Sequence, residues 1–291
     1  MIIFNKPLTG ALPVADPHAY AYIRAAGYSN RSLMIAIDKL FRRLKGTITD
    51  LNPSALDVFS DIYVLNLMLT DLVGGSSAAM LAQMKYNAVN PATYLSTYVN
   101  SPTASLAGIL GNGTNQYINT IFNASLLGTP SDLAFGCYIC AASANTNILC
   151  DMGIDDSAGH QSRLVSRYTD NLNFTASHGG VDSTGHTLSD ERGIYLVNRQ
   201  STSSFKVHRN ESVAFTTSGT FVLQPNLSFY LFTKNISNNP DMKWSDRRYC
   251  GYWFTKGLSD AKALAFQKSI NAFQGDVETI FGLAANSRKT Y

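Results

Sequence analysis

Charge is scarce in this chain of 291 residues. Asp, Glu, Lys and Arg make up 15% of it, against roughly 25% in an average globular protein. Glu is rarer still: Glu191, Glu211 and Glu278 stand against seventeen Asp. No block of Lys or Arg occurs and the net charge is only +3. The concentrated basic surface that phosphate contacts require is therefore missing, which excludes nucleic acid as a partner. No window holds eighteen consecutive apolar residues, so no membrane insertion is expected. The opening MIIFNKPLTG lacks a long apolar core and a small-residue cleavage site, and no secretory signal is expected there. Gly-Asp-Ser-Leu and Gly-x-Ser-x-Gly nucleophile motifs, a phosphate-binding glycine loop and EF-hand spacing are all missing. Nothing local therefore points to a catalytic residue, a metal or a cofactor.

Disorder is excluded by what is present, 45% hydrophobic residues and 11% aromatic, far above what an unfolded polar chain carries. Asn, Ser and Thr supply about a quarter of the residues. With Asp, they favour turns, caps and strand edges, whereas the missing Glu favours helices. The composition predicts many strands joined by polar loops.

Helices are expected at the two ends. Pro7, Gly10 and Pro13 leave residues 1–15 as an extended arm. Asp16-Pro17 is a helix start, and Gly27 stops that helix. Asn30 caps a second helix, whose Leu33, Met34, Ile37, Leu40, Phe41 and Leu44 form one apolar face. A third short helical stretch falls near 54–60. From Asp61 to about residue 255 the pattern is strand-like, punctuated by turn-formers such as Gly111-Asn112-Gly113 and Asn238-Asn239-Pro240. Ser259 caps a closing helix over about 259–274, with Gly275 as its stop; Asp276–Leu283 could form a further short helix, and the SRKTY tail is polar. Strands at this spacing without helices between them indicate an antiparallel sandwich.

Cys137, Cys140, Cys150 and Cys250 are the four cysteines. They read as buried structural thiols, since Cys137 and Cys140 lie three apart on an apolar strand and no second ligand pair completes a zinc site. A metal site and a disulfide remain alternatives. Trp253, in an apolar strand, reads as core. His160, His178 and His186 read as solvated loop residues.

Several segments together resemble one family. Gly111-Asn112-Gly113-Thr114-Asn115-Gln116-Tyr117-Ile118-Asn119-Thr120 is similar to a GDGST-x-Y-ID-T strand start. Phe254-Thr255-Lys256-Gly257-Leu258-Ser259-Asp260-Ala261, followed by Ala272-Phe273-Gln274, resembles a closing strand that leads into a GLTDAE helix. Ala21–Gly27 with Asn30–Leu44 is similar to a helix pair, Asp61-Ile62-Tyr63-Val64 to a DALYV strand, and Ser101-Pro102-Thr103 to an NSPTF element. In this order they resemble concanavalin A-like (laminin-G-like) modules of tailed-phage and prophage virion proteins, over about residues 16–275. Lys262 departs from the family's capping-box Glu, which removes the reciprocal cap.

The resemblance implies a mainly β fold, an antiparallel concanavalin A-like jelly-roll sandwich over 61–291. A helical attachment segment over 16–60 precedes it. It also implies a non-enzymatic structural protein of a virion, assembled in the bacterial host cytoplasm. Its partners would be other virion proteins and copies of itself in closed, often threefold, symmetry. Ile3, Phe4, Leu8 and Leu12 of the arm are the candidate assembly contacts. The alternative reading is a glycan-binding module on the same fold, with Tyr168, Trp244 and Asp241 as the candidate sugar contacts. A glycoside hydrolase on this fold needs a carboxylate pair about 5–5.5 Å apart. The three Glu show no such pairing, and the Asp151, Asp155 and Asp156 cluster falls in an expected turn.

Overall fold

The computed structural model describes residues 14–51, 54–143, 149–168, 173–183, 185–188, 190–285 and 287–288, with the backbone alone for Tyr168 and Asn173. Ile3, Phe4, Leu8 and Leu12 lie outside the described residues. Two sheets and a layer of helices make up the fold. From its Ser212–Ser218 edge, the first sheet runs through Ser204–Arg209, Gly193–Arg199 and Leu133–Ala141 to Arg248–Thr255. The last of these is shared, pairing Gly108–Leu110 at its start and Ile62–Asn66 at its end. The second sheet runs Val181–Asp182, Asn173–His178, Gln161–Tyr168, Met152–Asp155, Ser228–Leu231, Tyr117–Asn123 and Thr97–Val99. Lys234–Ile236 joins it in parallel against Met152–Asp155. All other pairings between these strands are antiparallel, as a jelly-roll sandwich requires.

Alternation along one strand shows the layering. In Leu133–Ala141, Leu133, Phe135, Cys137 and Ile139 enter the core between the sheets. Ala134, Tyr138 and Cys140 enter a second core under the helices. Both faces of this central strand are thus buried, and its run is apolar throughout rather than alternating. The helical layer consists of α1 (Pro17–Ala26), α2 (Arg31–Leu44) and α4 (Asp260–Phe281), while α3 (Ser77–Met84) packs beside the inter-sheet core. Asp16 caps α1 by accepting from His18 and Ala19 N–H groups, and Asn30 caps α2 through Leu33 N–H.

Three expectations are corrected. The closing helix does not stop at Gly275 but runs to Phe281, where Gly282 adopts the left-handed cap at φ 59°. A helix-interior glycine costs about 1 kcal/mol, and burial of both Phe273 and Val277 across it outweighs that. The stretch near 54–60 forms only a 3-10 turn, Phe59–Asp61. In the polar tail, Arg288 is fully buried, donating to the carbonyls of Leu67, Leu106 and Cys250 and to Gln274 Oε1. Finally, Cys140 and Cys250 form a disulfide, with Cα atoms 6.1 Å apart, inside the usual range. Strand pairing of Ile139 with Tyr249 and Ala141 with Arg248 brings the two together across 110 residues. Cys137 and Cys150 are buried free thiols, as expected. Denatured, unreduced protein is expected to take up two equivalents of an alkylating reagent, rising to four after reduction. Intact mass spectrometry reads the count.

Ile121 sits in the strand Tyr117–Asn123 with φ 60° and its side chain 42% exposed. A β-branched residue in the left-handed region is strained by about 1–2 kcal/mol. Ile121→Gly is expected to raise stability by about 1 kcal/mol, or roughly 2–4 °C in Tm, in thermal unfolding.

Candidate functional site

The helices cover the outer face of the first sheet. The outer face of the second sheet carries a cluster of aromatic rings. In Tyr117–Asn123, Ile118, Thr120 and Phe122 are buried, while Tyr117, Asn119 and Ile121 are not. In Ser228–Leu231, Phe229 and Leu231 enter the core, so Tyr230 points to the outer face. The Tyr117 and Tyr230 rings stack with centroids 4.6 Å apart, and Tyr117 also meets Trp244 at 6.1 Å. Tyr230 is buried, Tyr117 and Trp244 half-buried. Burial, then the neighbouring Tyr117 hydroxyl, pushes the Tyr230 phenol up, so it stays neutral and able to donate.

Trp244 sits in an irregular loop that is held at several points. Asp241 N–H donates to Lys234 O at 2.9 Å, Thr233 Oγ1 donates to Asp241 O at 2.7 Å, Cys150 N–H donates to Lys243 O at 3.2 Å, and Ser245 N–H donates to Phe232 O at 2.7 Å. Gly111 packs its backbone against Ser245 O, where a Cβ would come within 2.4 Å. The indole is therefore carried on a pinned backbone, with Tyr117 beside it. A rigid, half-buried aromatic ring among polar loops is suited to a ligand with one apolar face and several hydroxyls.

Of the expected sugar contacts, the structure brings Trp244 and Asp241 into one loop. Asp241 is engaged there, 3.8 Å from Lys234 Nζ, which itself donates to Asp155 at 2.6 Å. The backbone of Tyr168 ends a strand at the same end of the sheet. Segment 149–150 bonds Arg167 O on one side and Lys243 O on the other. Its side chain lies outside the described residues. Tyr117 and Tyr230 were not among the expected contacts. The signal that could have found Tyr117 is its place on the polar face of an alternating strand. Trp253 is core, edge-on to Phe266 at 5.1 Å.

The histidines differ from expectation. His178 ends a strand, is fully buried among Phe135, Phe205 and Phe221, and bonds Leu133 O at 3.0 Å. It is not a solvated loop residue, because its neighbours in sequence pair back into the sheet. His160 pairs with Asp156 at 2.7 Å, and His186 stacks on Phe215 at 3.7 Å.

A buried ionic cluster was not expected at all. Arg247 donates to Asp151 at 3.1 Å and to Glu191 at 2.5 Å, and Tyr249 Oη donates to Asp151 at 2.5 Å. Asp151 does not lie in a turn but leads into Met152–Asp155, and accepts from Ser166 N–H at 2.5 Å. Asp151 is 0% and Glu191 1% exposed, so both carboxylates are held inside the protein by their partners. Among the described residues, no group of three His, Cys, Asp or Glu is placed to hold a metal ion, and no helix is long and apolar enough to cross a membrane.

No protein-family model matches the sequence, and no curated protein matches it. Solved structures do match. A mutant Trypanosoma rangeli sialidase displaying trans-sialidase activity aligns with a TM-score of 0.52 at 12% identity, over 85% of this chain and 39% of that one. The Trypanosoma rangeli sialidase in complex with sialic acid aligns with a TM-score of 0.51 at 11% identity, over 81% of this chain and 38% of that one. The chain thus spans about two fifths of these proteins' length, and at this identity the likeness is one of fold. The fold is a mainly β, antiparallel concanavalin A-like jelly-roll sandwich with an N-terminal helical segment and a C-terminal helix.

Proposed function

We propose that this chain is a glycan-binding module, non-enzymatic, whose sugar contact is Trp244 backed by Tyr117 and Tyr230. The observation that carries this reading is the ring cluster on the outer face of the second sheet. The C–H face of a sugar ring packs against the electron-rich face of an indole, and surrounding amides and hydroxyls bond its oxygens. Tyr117 and Tyr230 act as positioning residues that fix the indole before the ligand arrives, which lowers the ordering loss on binding. Asp241 contributes through the loop backbone and through Lys234. The absence of enzymatic activity is supported by the carboxylates of Asp151 and Glu191, which are buried and engaged by Arg247.

Binding to an immobilised glycan panel tests this. Wild type is expected to retain a subset of glycans, and Trp244→Ala to lose about 2 kcal/mol, roughly thirtyfold in affinity. Retention unchanged in Trp244→Ala contradicts the reading.

The carrier of this module is a second matter. The order of its motifs resembles tailed-phage virion modules, so we place it on a particle, held through the arm and helices of 1–60 with copies of itself. Tyr20 and Ile35 are large apolar side chains exposed on α1 and α2, in keeping with a docking role. Mass spectrometry of purified particles is expected to find the chain in fixed copy number, and its absence from them overturns the placement.

A further inference from the structure

The charges around Trp244 bear on which sugars the site takes, a question that rests on the glycan-binding reading above. The loop Asp241–Asp246 carries two carboxylates, Asp241 and Asp246, and a single ammonium, Lys243. Lys234, whose carbonyl accepts from Asp241 N–H, is already engaged by two carboxylates, Asp155 at 2.6 Å and Asp241 at 3.8 Å. Arg247, next in the chain, is fully buried against Asp151 and Glu191. The facing loop, Gly111–Gln116, has no charge at all. It abuts Asp246, whose Cβ would lie 3.2 Å from a Cβ on Gly113.

That facing loop is rich in amides, and they are fixed. Asn112 Oδ1 accepts from the N–H groups of Thr114, Asn115 and Gln116, and its Nδ2 donates to Asn115 Oδ1 at 2.9 Å. Gln116 Nε2 donates to the carbonyls of Asn100 and Ser101 at 2.9 and 3.0 Å. Asn115 Nδ2 and Gln116 Oε1 take part in none of these bonds, and Asn115 is exposed. The rim therefore presents neutral donors and acceptors next to an indole, on a background that is slightly negative.

We propose that the Trp244 site selects uncharged glycans and discriminates against sugars that carry a carboxylate, sialic and uronic acids included. An anionic sugar stacked on Trp244 meets the carboxylates of Asp241 and Asp246; Lys243 is the one cation on the loop itself, and Lys234 is shared between Asp241 and Asp155. An unscreened like charge at about 4 Å in water amounts to about 1 kcal/mol, roughly fivefold in affinity. Hydroxyls of a neutral sugar lose nothing to this field and bond the fixed amides.

The test is a titration of the intact protein with matched pairs of oligosaccharides that differ only in a terminal sialic or uronic acid, at low and high ionic strength. The neutral member is expected to bind about fivefold or more tightly at low salt. The gap narrows at high salt as the carboxylates are screened. Trp244→Ala loses the neutral ligand, and Lys243→Ser retains it while weakening the acidic one further. Preferred binding of the acidic member through Trp244, lost in Lys243→Ser, overturns this inference and leaves the glycan-binding reading standing. Failure to bind any member of either set overturns that reading and this inference with it.

Discussion

Arg247→Met is expected to lower the unfolding free energy by about 3–5 kcal/mol, as read in a urea or guanidinium titration. The reason lies in what is left behind. Arg247 is fully buried and bonds both Asp151 and Glu191, which are themselves buried. Burial works against its charge, but Asp151, Tyr249 and Glu191 outweigh that and hold the guanidinium above its ordinary value. Without it, two carboxylates share a low-dielectric interior, and the nearest cation left is Arg167, 4.0 Å from Glu191. Asp151 keeps donors from Tyr249 and Ser166, and Glu191 keeps Ser143 N–H, so the loss is large without being total. Adding Glu191→Gln to Arg247→Met should recover part of it, since one of the stranded charges is then removed. A double variant that is simply additive contradicts the account, because coupling is what groups in one network show.

Acid should weaken the protein well before its carboxylates titrate, and His178 is the cause. Burial first, then the charge of Arg199, pushes its imidazole down to about 3. Nε2 faces Leu133 O at 3.0 Å and must carry the hydrogen, while Nδ1 is buried without a partner. The folded protein therefore holds the neutral ring. Below about pH 6.5 the unfolded chain binds a proton that the folded chain does not, so stability present above that pH falls as pH drops toward 3. One such proton amounts to about 1.4 kcal/mol per pH unit, or about 3 kcal/mol by two units below the unfolded value. His208 and His186 are also pushed down by burial and act in the same direction. Burial works against the charges of Asp16 and Asp190, but Lys45 and Arg192 outweigh it and hold both low, so they add their loss as pH falls through the ordinary carboxylate range and below it. Urea unfolding at a series of pH values should show His178→Gln with a slope shallower by about one proton between pH 6.5 and 4. An unchanged slope contradicts this assignment.

Much of the fold was legible because it rests on local chemistry. Asp16 and Asn30 are side-chain caps, and the apolar spacing from Leu33 to Leu44 is a helix face wherever it packs. The strands announce themselves as apolar or alternating runs between turn-formers. The misreadings share one cause, which is that tertiary burial decided the outcome. Gly275 looks like a stop until Phe273 and Val277 are seen to be buried on either side of it. Residues 77–84 have no strong polar face, and α3 exists because Met80, Leu81 and Met84 pack beside the inter-sheet core.

The candidate site was legible in its most isolated member. Trp244 stands out as an indole in the polar run Asp241–Asp246, whereas Tyr117 and Tyr230 look like ordinary strand residues. Their strands become neighbours only through long-range pairing, Tyr230 with Asn119 and Leu231 with Ile118. The Asp151, Glu191 and Arg247 cluster was invisible for the same reason, its members being 56 to 96 residues apart from the arginine. The scarcity of Glu keeps its meaning here: one of the three is consumed as a counter-ion inside the protein.

That Trp244 is the sugar contact can be tested optically. The chain has two tryptophans, and Trp253 is 1% exposed beneath the helices. Tryptophan emission can thus be followed while the neutral oligosaccharide that binds most tightly on the glycan panel is added. A saturable change in emission is expected at the ligand concentrations that give binding, present in Trp253→Phe and abolished in Trp244→Phe. Binding that saturates with no change in emission, or that proceeds undiminished in Trp244→Ala, would contradict it.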